Sequence, residues 1–482
     1  MENFKNLIGR KNEIEQIKKL YDSQKSEFLA LYGRRRIGKT FLIKECFANN
    51  FAFQHVGLSP INDKNNGKKK AQLTSFYFSL LRQGSTIKKI PKTWLEAFYY
   101  LELLIDSMTE KKTKKVIFLD ELPWMDTKKS GFMSAFESFW NSWASLRDDI
   151  LLVVCGSATS WMLNNVINNH GGLYNRITMQ IHLTSLKLDE CEKLLKLYGI
   201  NFKRYDIVQA YMIFGGVPYY YGYLDKSKSL AESIDEMFFK DNANLKDEFN
   251  NLFSSTFVNH TFIISLIRFL FSKKIGYTKK EILQHFKIDD STLFTRNLRA
   301  LISSEIIIKY TPFGESGKNE RYKLIDNFSL FYLHFIEHKK ILNNDFWKHN
   351  VNNPIINSWR GLAFENICFQ HKAYIKRHMK IEAISSEESN YIDLKNENKN
   401  AQIDLLIRRA DNITNICEIK FYSYPISVDK NYYLNLLNKE KVILDKLNKK
   451  ESTSFVLITT FGIIKNEYSD MFTHVLTIDD LF

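Results

Sequence analysis

The chain has 482 residues, 44% of them hydrophobic and 25% charged, with a net charge of +14 and a pI near 9.2. That length allows roughly three or four domains with cores of their own, and the balance is that of a soluble globular protein. No apolar run is long enough to cross a bilayer, and the charged opening MENFKNLIGRKNEIEQ lacks a signal-peptide core. The expected setting is therefore the cytoplasm, with no membrane partner. The basic excess suits a polyanion, although it also accompanies a general abundance of Lys, Asn, Ile and Phe. Cys46, Cys155, Cys191, Cys368 and Cys417 are scattered and never form a C-x-x-C pair, which argues for buried thiols over zinc ribbons or a disulfide framework.

The first strong signal is GRRRIGKT at 33–40, which fits G-x-x-x-x-G-K-[ST] at every fixed position. An apolar strand, FLALY (28–32), leads into it, and an amphipathic helix from Thr40 to Phe47 leads out, the context this phosphate loop requires. From Gly33 through Arg34, Arg35, Arg36 and Ile37 to Gly38, backbone N–H groups can curl around phosphates at a helix N-terminus. Lys39 is expected to reach the β- and γ-phosphates of ATP, and the Thr40 hydroxyl to ligate Mg²⁺. A chance Gly-rich turn is the alternative, and two downstream strands weigh against it. VIFL (116–119) ends in Asp120–Glu121, which carries two carboxylates to the edge of a parallel sheet where ligands bind. Asp120 is expected to hold the Mg²⁺ shell and Glu121 to polarise the attacking water. ILLVV (150–154) runs into CGSAT, placing Ser157 at the same edge as a γ-phosphate sensor or an ordinary strand-end serine.

IGRKNEIEQI, GRRRIGKT, FLDELPWMD and GGLYNR together resemble the archaeal-type ATPases of the AAA+/STAND group. That resemblance implies an α/β multidomain fold beginning with a P-loop parallel-sheet core (1–185) and a helical lid (186–250). It makes Gly9–Arg10 the adenine-side element. It makes Arg176 an arginine finger, acting across a domain interface or on a neighbouring subunit of a homo-oligomer; a surface or structural arginine is the alternative. FGGVPYY (214–220) matches the lid's G-x-P element at Gly216 and Pro218, although a simple helix bend needs the same residues. The tyrosines at 219, 220, 221 and 223 suit base stacking or core packing.

Residues 251–345 carry a winged-helix pattern: an apolar helix (262–271), YTKKEILQHF, a turn at KIDD, the helix STLFTRNLRALISSEI, then IIIKY, PFGESGKN and RYKLI as a hairpin. Ser291 or Asp290 would cap the second helix, which carries Arg296 and Arg299. Either that helix enters a DNA groove and the wing touches phosphates, or the module packs between domains.

The last unit, 346–482, begins with a helix over 359–378 carrying Glu365 and continues with QIDLLIRRADNITNICEIKF (402–421). Positions 404 and 418 mirror each other about residue 411, in a turn-prone Ala-Asp-Asn. A hairpin centred there sets Asp404 opposite Glu418, with Lys420 on the same face and Ile403, Leu405, Ile419 and Phe421 on the other. Two opposed carboxylates need a cation, a shared proton or a lysine between them. Glu365, Asp404 and Glu418-x-Lys420 resemble the PD-(D/E)xK nuclease superfamily, with Ile403 in place of the proline. That resemblance implies a restriction-endonuclease-like α/β domain with Mg²⁺ held by Glu365, Asp404 and Glu418, and Lys420 acting on the nucleophile. A chance hairpin remains the alternative, and so does a non-cleaving ATP switch. The lysines of the following helix, KNYYLNLLNKEKVILDKLNKK, are read as a solvated face.

Overall fold

The structure is a computed structural model that describes residues 7–59, 68–108, 114–169, 171–257, 259–337, 344–392 and 402–482, so the first six residues of the charged opening lie outside it. The chain forms two compact units. The first comprises 1–185, 250–263 and 291–305; the second comprises 186–249, 264–290 and 306–482.

The first unit is built on a five-stranded sheet of β1 (Glu27–Tyr32), β2 (Phe53–Val56), β3 (Lys115–Asp120), β4 (Ile150–Gly156) and β5 (Met179–His182), in the order β2-β3-β4-β1-β5. Every pairing is parallel. The central strands β3 and β4 are buried along their whole length, and β1 is buried up to Tyr32, while β2 alternates buried and exposed. A strand covered on both faces must be apolar throughout, which is why FLALY, VIFL and ILLVV read as unbroken runs. The helices Lys69–Arg82, Trp94–Asp106 and Phe132–Ser142 pack against it, with Trp94, Phe98 and Phe136 fully buried.

The helix Thr292–Ser303 belongs to this unit as well. Ser304 Oγ bonds Thr159 Oγ1 at 3.2 Å, Glu305 accepts from Ser185 N and Oγ, and His182 Nε2 meets the Ser303 carbonyl at 2.7 Å. The compact units therefore cut across the expected 251–345 segment, because the end of this helix is hydrogen-bonded into the parallel-sheet core.

In the second unit, Leu186 N–H donates to Gly216 O at 2.8 Å, and a Cβ at Gly216 would lie 1.8 Å from Leu186 O. Glycine is required there for backbone contact. Tyr220 and Tyr221 are core residues, with Tyr220 stacked on Phe328. A small antiparallel sheet, β6 (Tyr277–Thr278), β7 (Ile307–Tyr310) and β8 (Arg321–Leu324), has the order β6-β8-β7. The loop of the β7–β8 hairpin is not free: Phe313 N–H donates to Asn390 O, and its ring packs on the C-terminal core.

The C-terminal sheet is mixed, with the order β13-β12-β11-β10-β9, made of β9 (Ser386–Ile392), β10 (Gln402–Arg409), β11 (Ile413–Lys420), β12 (Ser452–Thr459) and β13 (Phe472–Leu476). β9, β10 and β11 are antiparallel, while β11, β12 and β13 are parallel. The expected single helix over 359–378 is two helices, Pro354–Gln370 and Lys372–His378, with the fully buried His371 at the break. All five cysteines are buried and none is in a disulfide. No described helix is long and apolar enough to cross a membrane.

Candidate functional site

The phosphate loop sits between β1 and the helix Lys39–Cys46, whose N-cap Gly38 has φ 93°. Gly33 lies so close to the next strand's exit that a Cβ would fall 2.3 Å from Leu183 O. Lys39 Nζ donates to the carbonyls of Gly33 (3.0 Å) and Arg34 (2.9 Å). Burial lowers its pKa, with Glu121 and Asp120 acting in the opposite direction. Thr40 Oγ1 donates to Asp120 Oδ2 at 2.6 Å, so a hydroxyl and a carboxylate adjoin at the end of β3. These hard oxygen donors fit Mg²⁺.

Glu121 takes a left-handed backbone (φ 48°), uncommon for a side chain with a Cβ and found often at functional sites. Its Oε2 accepts from Ser157 N (3.2 Å) and Ser157 Oγ (2.9 Å), across the end of β4. Burial raises the Glu121 carboxyl above the ordinary carboxylate range against the pull of Lys39. Lys39, Thr40, Asp120, Glu121 and Ser157 thus converge on one sheet edge. Arg176 does not join them through any described contact. It lies exposed in a turn, with no side-chain hydrogen bond or ion pair among the described residues, so it braces none of them.

The second constellation lies at the open end of the β10–β11 hairpin. The register pairs Leu405 with Cys417 and Leu406 with Ile416, the mirror about residue 411 expected from the sequence. Asp404 Oδ2 accepts from Ile419 N–H at 3.4 Å, and Gln402 Nε2 donates to Oδ1. Glu418, 1% exposed, is clamped by Lys420 Nζ at 2.7 Å and Lys439 Nζ at 2.6 Å, and accepts from Tyr432 OH at 3.1 Å. Glu365 pairs with Lys274 at 2.6 Å.

These carboxyls divide. Burial, then Glu418, raises Asp404; burial, then Asp404, raises Glu365. Burial also works against ionisation of Glu418, but Lys420 and Lys439 together hold its pKa down. Carboxyls pushed in opposite directions are the usual mark of separate proton roles. Lys323 also belongs to the group, acting electrostatically on both Glu365 and Asp404. Among the described residues no three acidic, His or Cys side chains form a metal cage.

Two expectations are corrected here. The helix Lys430–Leu444 does not present only a solvated lysine face: Lys439 is 12% exposed and turned onto Glu418. Tyr432, Leu436 and Lys439 fall at helical spacing on one side, a spacing that groups them on one face without saying which face is buried. Strict alternation also fails, because the β9–β10 register slips by one residue between Ile403 and Leu406, which both enter the same core. Asp404 and Leu405 therefore sit in a β-bulge.

Residues 7–224 match the family described as an ATPase domain predominantly from Archaea. An uncharacterized protein of Methanocaldococcus jannaschii is 26% identical over 347 residues, spanning 68% of this chain and 69% of the relative. An uncharacterized ATP-binding protein of the same organism is 43% identical over 43 residues, 9% of this chain and 73% of the relative. Among solved structures, the Walker-type ATPase paby2304 of Pyrococcus abyssi aligns over 69% of this chain and 97% of its own, at 12% identity and TM-score 0.47. The Aeropyrum pernix ORC2 protein aligns over 74% and 97%, at 14% identity and TM-score 0.43. The phosphate loop, the Asp120–Glu121 strand end and the family match together identify residues 7–224 as an archaeal-type P-loop ATPase domain, a domain class that binds and hydrolyses ATP.

Proposed function

We propose that the ATPase domain switches a DNA-engaging C-terminal half that cleaves phosphodiester bonds with Mg²⁺. The observation that carries this reading is the mirrored pair Asp404 and Glu418 beside Lys420, with Glu365 near enough to Asp404 to raise its pKa. The exposed Arg296 and Arg299 on the helix Thr292–Ser303 support contact with DNA.

Four ammonium groups (Lys274, Lys323, Lys420 and Lys439) stand against three carboxylates, so the fully ionised site attracts phosphate more readily than a bare cation. Mg²⁺ is commonly held by one or two carboxylates plus substrate phosphate, and Asp404 and Glu418 fit that pattern once a backbone phosphate engages the lysines. When bound, the ion supplies phosphate polarisation and a more acidic water. Lys420 orients the incoming oxygen; Glu365 and Asp404, with raised pKa values, hold or release a proton at the same place. At the ATP site, Glu121 accepts the proton of the attacking water, Ser157 fixes its carboxylate, and Arg176 reaches a neighbouring active site.

The test is a screen of plasmid, single-stranded, duplex and branched DNA with Mg²⁺, with and without ATP. Cleavage that disappears in Lys420→Ala and Asp404→Ala supports the reading. Normal ATP turnover with no cleavage under Mg²⁺ or Mn²⁺ would establish a second reading, a non-cleaving switch. The double lysine clamp on Glu418 favours that second reading, because it already neutralises one metal ligand.

A further inference from the structure

Within the second unit lies a cavity of about 290 Å³, near the lower end of the roughly 300–1,000 Å³ typical of small-molecule sites. Its walls are mainly apolar, with Phe271, Leu324, Leu330 and Trp359 among them. Met212, Leu324, Trp359 and Ala363 are buried, whereas Leu362 and His334 are exposed, so the cavity has an inner end and a mouth.

Two polar features do not fit a purely apolar guest. Lys323 lines the cavity with no carboxylate within ion-pair distance among the described residues, although burial works against its charge. The buried Asn366 also lines it. Its Nδ2 donates to Ile325 O and to Asn327 Oδ1, both at 2.7 Å, which fixes the amide's orientation. Its Oδ1, so oriented, accepts no hydrogen bond from a described residue. An unpaired buried acceptor is costly, and a ligand donor would relieve it. Lys274 lines the cavity too, with its ammonium paired to Glu365, so Lys323 is the cation left to meet an anion.

An anion at Lys323, a flat apolar body along Phe271 and Trp359, and an N–H donor for Asn366 describe one compact ligand class. We propose that this cavity binds a nucleoside monophosphate unit, phosphate towards Lys323 and base towards Asn366. The unit is either a free mononucleotide or the terminal nucleotide of a strand; the cavity shares Lys323 with the proposed cleavage site, but nucleotide binding requires no cleavage.

The test is calorimetric titration of the full chain carrying Lys39→Ala, so that the phosphate loop does not contribute. AMP, CMP, GMP and UMP are each titrated, with decanoate as an apolar anion lacking a donor. One saturable site is expected for at least one nucleotide, weakened at least tenfold by Lys323→Met. Leu362→Glu places a negative charge at the exposed mouth and is expected to weaken binding similarly without touching the core. Displacement of the bound monophosphate by a 5′-phosphorylated oligonucleotide assigns the strand end; failure to displace assigns the free nucleotide. Saturable binding of decanoate alone, no saturable nucleotide binding, or nucleotide binding that both substitutions leave unchanged overturns the proposal.

Discussion

Arg176→Ala separates a catalytic arginine from a bracing one more cleanly than any other substitution in this chain. The side chain is exposed and makes no hydrogen bond or ion pair with a described residue. Its removal is therefore expected to change stability by no more than about 0.5 kcal/mol, as for other surface sites. An arginine finger, by contrast, contributes about 10³–10⁵ in turnover, or roughly 4–7 kcal/mol of barrier. The predicted signature is an unchanged thermal midpoint with ATP hydrolysis down at least a thousandfold. Mixing decides whether the arginine acts on a neighbour. Arg176→Ala keeps Glu121, and Glu121→Gln keeps Arg176, so each variant is inactive alone. If the finger works between subunits of a symmetric ring, random mixing restores about one quarter of the sites. Wild-type turnover in Arg176→Ala would refute the finger; a silent mixture would confine it to its own chain.

Glu121→Gln should abolish ATP turnover while nucleotide binding, read by calorimetry, persists; turnover at the wild-type rate would reassign the base. The buried Glu121 carboxyl has a raised pKa and must be ionised to accept a proton, so the acid limb of the rate profile should lie above the ordinary carboxylate value of about 4.3. Among the described residues, Lys439→Met leaves Glu418 with Lys420 and Tyr432, which should cost the second unit about 2 kcal/mol, below the roughly 3–5 of a fully broken buried pair. Faster hydrogen exchange at the β11 amides would report that loss. The Glu418 pKa is depressed, so its stabilisation is present above the unfolded carboxyl value and disappears as pH falls through the lower folded one. The penalty of Lys439→Met should shrink over that acid window. Gly33→Ala drives a Cβ to 2.3 Å from a backbone oxygen, and overpacking of that kind costs about 3 kcal/mol; a thermal shift and weaker ATP binding should appear together.

The ATPase half was legible because its signals are local. GRRRIGKT fixes a loop, and strands buried on both faces write themselves as apolar runs that end at Asp120, Glu121 and Ser157, which meet at one sheet edge. The hairpin register was legible too, since a two-residue period and a turn-prone centre leave one pairing that buries Leu406 against Ile416. Lys274, Lys323 and Lys439 were not, because each reaches the carboxylates from a separate element with no spacing relation to them. A lysine on a mixed-polarity helix looks the same in sequence whether it faces water or Glu418. Only the packing of Leu436 and Ile443 beneath that helix settles its rotation.

The bulge at Asp404–Leu405 shows why register alone was insufficient. Strict alternation would place Ile403 and Leu406 on opposite faces, yet both enter one core. The extra residue absorbs that conflict, and no Gly or Pro marks it in QIDLLIRR. A bulge bends the strand and frees one residue from regular pairing. Here it allows the Asp404 side chain to take the Ile419 N–H, and brings its carboxylate into the fields of both Glu418 and Glu365. Asp404 meets Glu418 from the adjacent strand and Glu365 from a preceding helix. That third carboxylate makes the site more than a repelling pair, and the surrounding lysines set the charge any incoming phosphate meets.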